Sequence, residues 1–162
     1  MLKDKIKSDF KEAFKAKEQV KLSVLKMVNS EIGNAEINKR ARLMKGGVNA
    51  EGVETASVLN DEEVLQVILR EVKKRKDSIE AFEGAGRQEL AEKEKEELAI
   101  LMTYMPEQLS EGAIRDIAKK AVEQSGAKGE KEIGKVMAIL APQVKGKADG
   151  AMVNKIVREF LA

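Results

Sequence analysis

The sequence predicts an all-α fold, and three observations predict it. Aromatic residues make up only 3% of the 162 positions and Trp is absent, so the aromatic side chains that sheets favour are scarce. Charged residues make up 36%, and Lys, Glu and Ala are the commonest residues, as in amphipathic helices. Apolar residues recur at intervals of three, four and seven along most of the chain, the period of helices with one buried face.

Taken in order, residues 2–16 place Leu2, Ile6, Phe10, Ala13 and Phe14 on one helical face. Residues 19–43 do the same with Leu22, Leu25, Val28, Ile32 and Ala35. Both segments carry Lys, Arg and Glu on the opposite side. Periodicity lapses over 45–60, where Gly46, Gly47, Gly52 and small polar residues read as a loop. Asn60 then opens a helix as N-cap, with Glu63 completing a capping box and Asp61 and Glu62 at the positive end of the dipole. That helix, 61–84, spaces Leu65, Ile68, Val72, Ile79 and Phe82 along a seam, with Arg75 in the remaining heptad position. The seam suits antiparallel packing. Gly84 and Gly86 end it. Residues 87–104 form a further helix presenting Leu90, Leu98, Leu101 and Met105, with a charged outer face from Glu92 to Glu97.

Pro106 stops the helical pattern, and Ser110 restarts it as an N-cap. The predicted organisation is therefore a hairpin-type domain of long amphipathic helices over 1–106 and a three-helix bundle over 107–162. In the bundle, helix 111–125 turns Ile114, Ile117, Ala118, Ala121 and Val122 inward and ends at Gly126. Helix 130–141 turns in Ile133, Val136, Met137 and Leu140 and ends before Pro142. Helix 149–161, capped by Asp149, turns in Met152, Val153, Ile156, Val157 and Phe160.

Chemistry is constrained by what the chain lacks. With no Cys and no His, thiolate nucleophiles, disulfides, imidazole bases and the commonest metal ligands are all missing. Acidic pairs such as Glu62/Glu63 and Glu96/Glu97 are adjacent in helices and point in different directions, so they read as solvated surface. No phosphate-loop or dinucleotide pattern occurs. Met102, Met105, Met137 and Met152 sit at core spacing and read as packing. No catalytic residue, metal or cofactor is expected. The charged start, Met1-Leu2-Lys3-Asp4-Lys5, and the absence of any 18-residue apolar stretch predict a cytoplasmic chain with no membrane partner.

The net charge of +2 does not mark a polyanion binder, but its distribution is uneven. Residues 1–60 carry +4, residues 61–109 carry −5 and residues 110–162 carry +3. A polyanion is drawn to the two ends and repelled by the middle. The most informative stretch is Val144-Lys145-Gly146-Lys147-Ala148-Asp149-Gly150. Two lysines flank a glycine just before a helix start, where backbone N–H groups attract anions. Lys155 and Arg158, three apart, share an exposed face of the last helix, and Lys135 lies off the apolar stripe of the helix before it. These groups, Lys135, Lys145, Gly146, Lys147, Lys155 and Arg158, form a candidate phosphate-backbone surface. The competing reading is an ordinary lysine- and glycine-rich turn, with Asp149 opposing phosphate at the helix start.

Two sets of residues carry a resemblance to the YqeY family, stand-alone relatives of the C-terminal tail of the GatB subunit of aspartyl/glutamyl-tRNA amidotransferase. The first runs from Asn60-Asp61-Glu62-Glu63 through Lys76-Asp77-Ser78-Ile79-Glu80-Ala81-Phe82 to Ala85-Gly86-Arg87 and Tyr104-Met105-Pro106. The second is Ile133-Gly134-Lys135-Val136-Met137, Lys145 to Gly150, and Val153-Asn154-Lys155. The similarity implies a two-part helical fold and a C-terminal domain that holds tRNA, the amide-transfer chemistry lying in other parts of the amidotransferase. The chain departs from the GatB tail at Asp149-Gly150, where the tail often reads Asn-Pro, and residues 45–60 are longer than is usual. Three functions follow: a non-catalytic tRNA-binding accessory protein; a protein-interaction module or homo-oligomer working through the N-terminal helices; and, last in order, a carbon–nitrogen ligase with glutamine as amido-N-donor.

Overall fold

A computed structural model describes residues 1–162 as eight α-helices and one 3-10 turn, without strands. The helices are α1 (Leu2–Ala16), α2 (Gln19–Lys45), α3 (Ala50–Ala56), α4 (Asp61–Gly84), α5 (Gln88–Met102), α6 (Glu111–Ser125), α7 (Ile133–Val144) and α8 (Gly150–Leu161), with the 3-10 turn at Glu130–Glu132 before α7. No helix is long and apolar enough to cross a membrane. The chain divides into two compact units, Met1–Tyr104 and Met105–Ala162.

In the first unit α2 is the hub, packing against α1, α3, α4 and α5. This explains why Val24 and Leu25, neighbours that point about 100° apart, are both buried along with Val28 and Ile32. The capping box of α4 forms as expected: Asn60 Oδ1 accepts from Glu63 N at 2.9 Å, and Glu63 Oε2 accepts from Asn60 N at 2.9 Å. The segment read as a loop is not one throughout, because Ala50–Ala56 is a helix. Asn49 caps it by accepting from Gly52 N at 2.9 Å, and a Cβ at Gly52 would stand 2.8 Å from that same oxygen, so glycine admits the cap rather than breaking the helix. Val53 and Leu59, at 1% and 5% exposure, close this part of the core.

The helix faces are rotated slightly from those expected. In α1 the buried line is Ile6 and Ala13, and Phe14, one position and about 100° further round, is 67% exposed. In α4 the buried residues are Val64, Val67, Ile68, Glu71 and Val72, while Leu65 is only half-buried. In α5 Ala91 takes the inward place expected for Leu90, which is exposed, and Leu101 is fully buried. Arg75 in the heptad gap is an ion-pair centre. It reaches Glu71 at 3.1 Å on its own helix, and Glu97 at 3.0 Å and Glu94 at 3.6 Å on α5. Tyr104 is buried at the end of this unit and donates to Asp9 of α1 at 2.5 Å, with the Lys5 ammonium 5.3 Å from its ring centroid. Burial and the Asp9 carboxylate both raise the phenol's pKa above its ordinary value.

The second unit is a three-helix arrangement in which α6 packs on α7 and α8. Its core joins Ile114, Ala118 and Ala121 to Val136, Leu140 and Val144 and to Val153, Ile156, Val157 and Leu161. Ser110 caps α6 by accepting from Ala113 N at 3.2 Å, and Gly126 ends it in the left-handed conformation with φ 65°. Two expectations are corrected. Helix α7 continues through Pro142 to Val144, since proline removes only its own N–H while Lys145 N still donates to the Ala141 carbonyl at 3.0 Å. On α8, Met152 and Phe160 lie at the edge of the buried stripe and remain 42% and 39% exposed, with Leu161 taking an inward place.

Candidate nucleic-acid interface

The turn between α7 and α8 is shaped by Gly146, which adopts φ 76°, a conformation a Cβ disfavours. Buried Val144 anchors the turn on the core side, and its carbonyl accepts from Lys147 N at 2.9 Å and Ala148 N at 3.1 Å. The segment before α6 holds the turn as well. Leu109 N donates to the Lys147 carbonyl at 2.7 Å, and Gln108 Nε2 donates to the Gly146 carbonyl at 2.8 Å and to the Pro106 carbonyl at 2.8 Å. Gly146 is buried, whereas Lys145 and Lys147 on either side are exposed. The result is a fixed backbone bracket presenting two cations.

The start of α8 is used internally. Asp149 Oδ1 accepts from Ala151 N at 2.9 Å and Met152 N at 3.4 Å, so the helix-start N–H groups already have an acceptor. A phosphate brought to this turn would meet the lysine side chains rather than the N–H groups of Ala151 and Met152.

The other three candidates lie elsewhere on the unit. Lys155 and Arg158 line one shallow depression with Glu130, Asn154 and Glu159. Arg158 donates from Nε to Asn154 Oδ1 at 2.8 Å and pairs with Glu130 at 3.4 Å. Lys135 pairs with Glu132 at 2.5 Å, and that hydrogen bond, helped by the Lys128 N–H, holds the Glu132 carboxyl below its ordinary pKa. The acidic 3-10 turn thus supplies one carboxylate to Arg158 and one to Lys135. From Gly150 to Arg158 is about 12 Å along the helix axis. The six residues consequently form two groups: the Lys145-Gly146-Lys147 bracket at one end of α8, and the partly neutralised Lys135 and Arg158 around the 3-10 turn, with Lys155 between.

Gln108 and Leu109 were not singled out in the sequence. Their partners lie 38 residues away, and no local pattern marks a side chain that bridges such a span.

Comparison with known proteins places the chain in a family. The model of the YqeY family, described as Yqey-like protein, matches residues 3–161. The chain is 28% identical to "Altered inheritance of mitochondria protein 41, mitochondrial" of Pyrenophora tritici-repentis, over 97% of this chain and 79% of that protein. It is 30% identical to the protein of the same name from Candida glabrata, over 73% of this chain and 57% of the relative. An uncharacterized protein of Schizosaccharomyces pombe is 43% identical over 33% of this chain and 43% of its own length. With the family match running almost from end to end, the chain belongs to the YqeY family of Yqey-like proteins.

Proposed function

We propose that this protein is a non-catalytic accessory protein that binds tRNA through its second unit. The observation that carries this reading is the Lys145-Gly146-Lys147 bracket, whose backbone is fixed by Gln108 and Leu109 while both lysines face solvent. With the backbone already fixed, meeting a phosphate backbone costs only the ordering of the side chains, less than the same lysines on a loose loop would lose. Binding of this kind is electrostatic, sequence-tolerant and steeply salt-dependent. Relatives named for mitochondria and the cytoplasmic location expected from the sequence are equally compatible with a tRNA ligand.

The test is retention of unfractionated tRNA, followed by fluorescence anisotropy across a salt series. Lys145→Ala with Lys147→Ala should weaken binding and reduce the slope of log affinity against log salt by about 2, roughly one per lysine. Absence of tRNA retention by the unaltered protein at low salt overturns the reading. Amidated aminoacyl-tRNA produced by the purified chain alone overturns its non-catalytic part.

A second reading, docking of a protein partner, is favoured by one observation. Ile37 and Met44, seven residues apart on one side of α2, are 66% and 61% exposed. Loss of tRNA binding on nuclease-free repurification, together with a stoichiometric protein complex disrupted by Ile37→Ser, would favour it over the first.

A further inference from the structure

Phe14 stands in unusual company. It is 67% exposed on α1, and the residues three and seven positions before it, Lys11 and Lys7, lie along the same strip of the helix, with Lys15 beside it. Lys17 follows in the left-handed position that ends the helix, φ 58°. All four lysines are exposed.

The charges of α1 divide into two sets. Lys3 pairs with Glu36, and Lys5 lies over the Tyr104 ring. Asp4 pairs with the N-terminal ammonium, Asp9 accepts from Tyr104, and Glu12 lies close enough to raise the same phenol's pKa. Asp4 lies on the same strip, three positions before Lys7, and is paired with the N-terminal ammonium, whereas Asp9 is turned to Tyr104 and Glu12, two positions before Phe14, faces the other side of the helix. Lys7, Lys11, Lys15 and Lys17 form no ion pair, although Lys7 lies near enough Glu36 to help lower its pKa. A row of like charges at helical spacing repels itself. The negative end of the helix favours Lys15 and Lys17, but offers nothing to Lys7 and Lys11, which lie further back along it.

We infer that the Phe14 strip is a second contact for the RNA of the proposed function, with Phe14 stacking on an unpaired base while Lys7, Lys11, Lys15 and Lys17 meet the flanking phosphates. Charge complementarity selects a polyanion, and a lone flat ring among cations suits stacking on single-stranded nucleic acid. From Lys7 to Lys15 the strip runs about 12 Å, a length comparable to a few nucleotides of extended chain. The surface also accounts for the positive balance of residues 1–60, which the C-terminal bracket leaves without a role. It rests on the tRNA reading for the identity of the ligand, and on its own residues for the site.

The experiment uses the full chain, unfractionated tRNA and a single-stranded oligoribonucleotide containing 2-aminopurine. Phe14→Ala should weaken binding to both by roughly tenfold and abolish stacking-induced quenching of the 2-aminopurine, with an unchanged melting curve because the ring is exposed. Phe14→Trp should retain both signals, and Phe14→Leu should lose the quenching as Ala does. Lys11→Ala with Lys15→Ala should reduce the salt slope for the oligonucleotide by about 1.4, or about 0.7 per lysine. If Phe14→Ala leaves RNA affinity unchanged while Lys145→Ala with Lys147→Ala lowers it, the strip is refuted and the tRNA reading survives. If the unaltered chain binds neither RNA, both fall. If Phe14→Leu restores full RNA binding, or if Phe14→Ala releases the chain from vesicles of phosphatidylcholine and phosphatidylserine without affecting RNA, the contact is not stacking and the inference is overturned.

Discussion

Replacing Arg75 by Met should destabilise the first unit by about 2–4 kcal/mol. Glu71 is only 3% exposed, and Arg75, itself 15% exposed, is its sheltered partner at 3.1 Å. Removing one member of a buried ion pair costs about 3–5 kcal/mol, because the survivor is left charged and desolvated. Two features moderate the loss here. Lys74, 62% exposed, still reaches Glu71, and Glu94 and Glu97, at 23% and 16% exposure, can turn partly to water. The assay is urea denaturation followed by tyrosine fluorescence. Tyr104 is the one tyrosine in a chain without Trp, and it is buried in this unit, so the signal reports on the right part of the molecule. Removing both charges, by Glu71→Leu with Arg75→Leu, should recover most of the loss, since a matched apolar pair needs no counterion. A loss below about 1 kcal/mol for Arg75→Met, or a double variant worse than the single one, would refute the view that Arg75 chiefly neutralises a buried carboxylate.

Acid should destabilise the first unit through Glu63 and Glu36. Lys39 and the Asn60 N–H hold the Glu63 carboxyl below its ordinary pKa. At Glu36 burial acts upward, but Lys3, the Leu59 N–H and the charge of Lys7 outweigh it. With folded values below the unfolded one, both contribute stability that is present above the ordinary 4.5 and lost as pH falls through the lower folded values. The tyrosine-detected urea midpoint should drop over that range, and Lys39→Met should flatten the drop; a level midpoint would contradict the assignment. In the second unit, Gly146→Ala should lower stability by about 1–2 kcal/mol by forcing a Cβ into a left-handed position. Gly134→Ala, where a Cβ meets nothing within 4 Å on a helix, should raise it by about 0.5–1 kcal/mol. Circular dichroism melting of the two variants separates these signs.

Much of the fold was legible because its signals are local. The Asn60–Glu63 capping box and the Ser110, Asp149 and Gly126 caps each involve residues within four positions of one another, and all form. Helix faces were less legible. A stripe of apolar residues indicates a side of the helix, but which edge of it is buried depends on where the neighbouring helix lies. Phe14, Leu90, Met152 and Phe160 all sit at such edges. Helix α3 escaped notice because seven residues span too few turns to show a period, and Gly52 argued against it. At the candidate interface the lysines were readable from composition and spacing. Their surroundings were not: the Gln108 hold on Gly146 and the Glu130 and Glu132 partners of Arg158 and Lys135 depend on where the folded chain brings distant or differently facing residues together.

The hydrogen bond from Tyr104 to Asp9 spans 95 positions of sequence. During synthesis α1 emerges well before residue 104, so this contact is among the last that the first unit can make. At translation rates of about 5–20 residues per second, Asp9 waits roughly 5–20 seconds for its partner. Throughout that interval Asp9 lacks the phenol that later donates to it, and Lys5 lacks the ring beneath it. The nascent chain thus carries α1 without this tie until its own residue 104 clears the ribosome, so the last residue of the first unit is also the one that fastens its first helix.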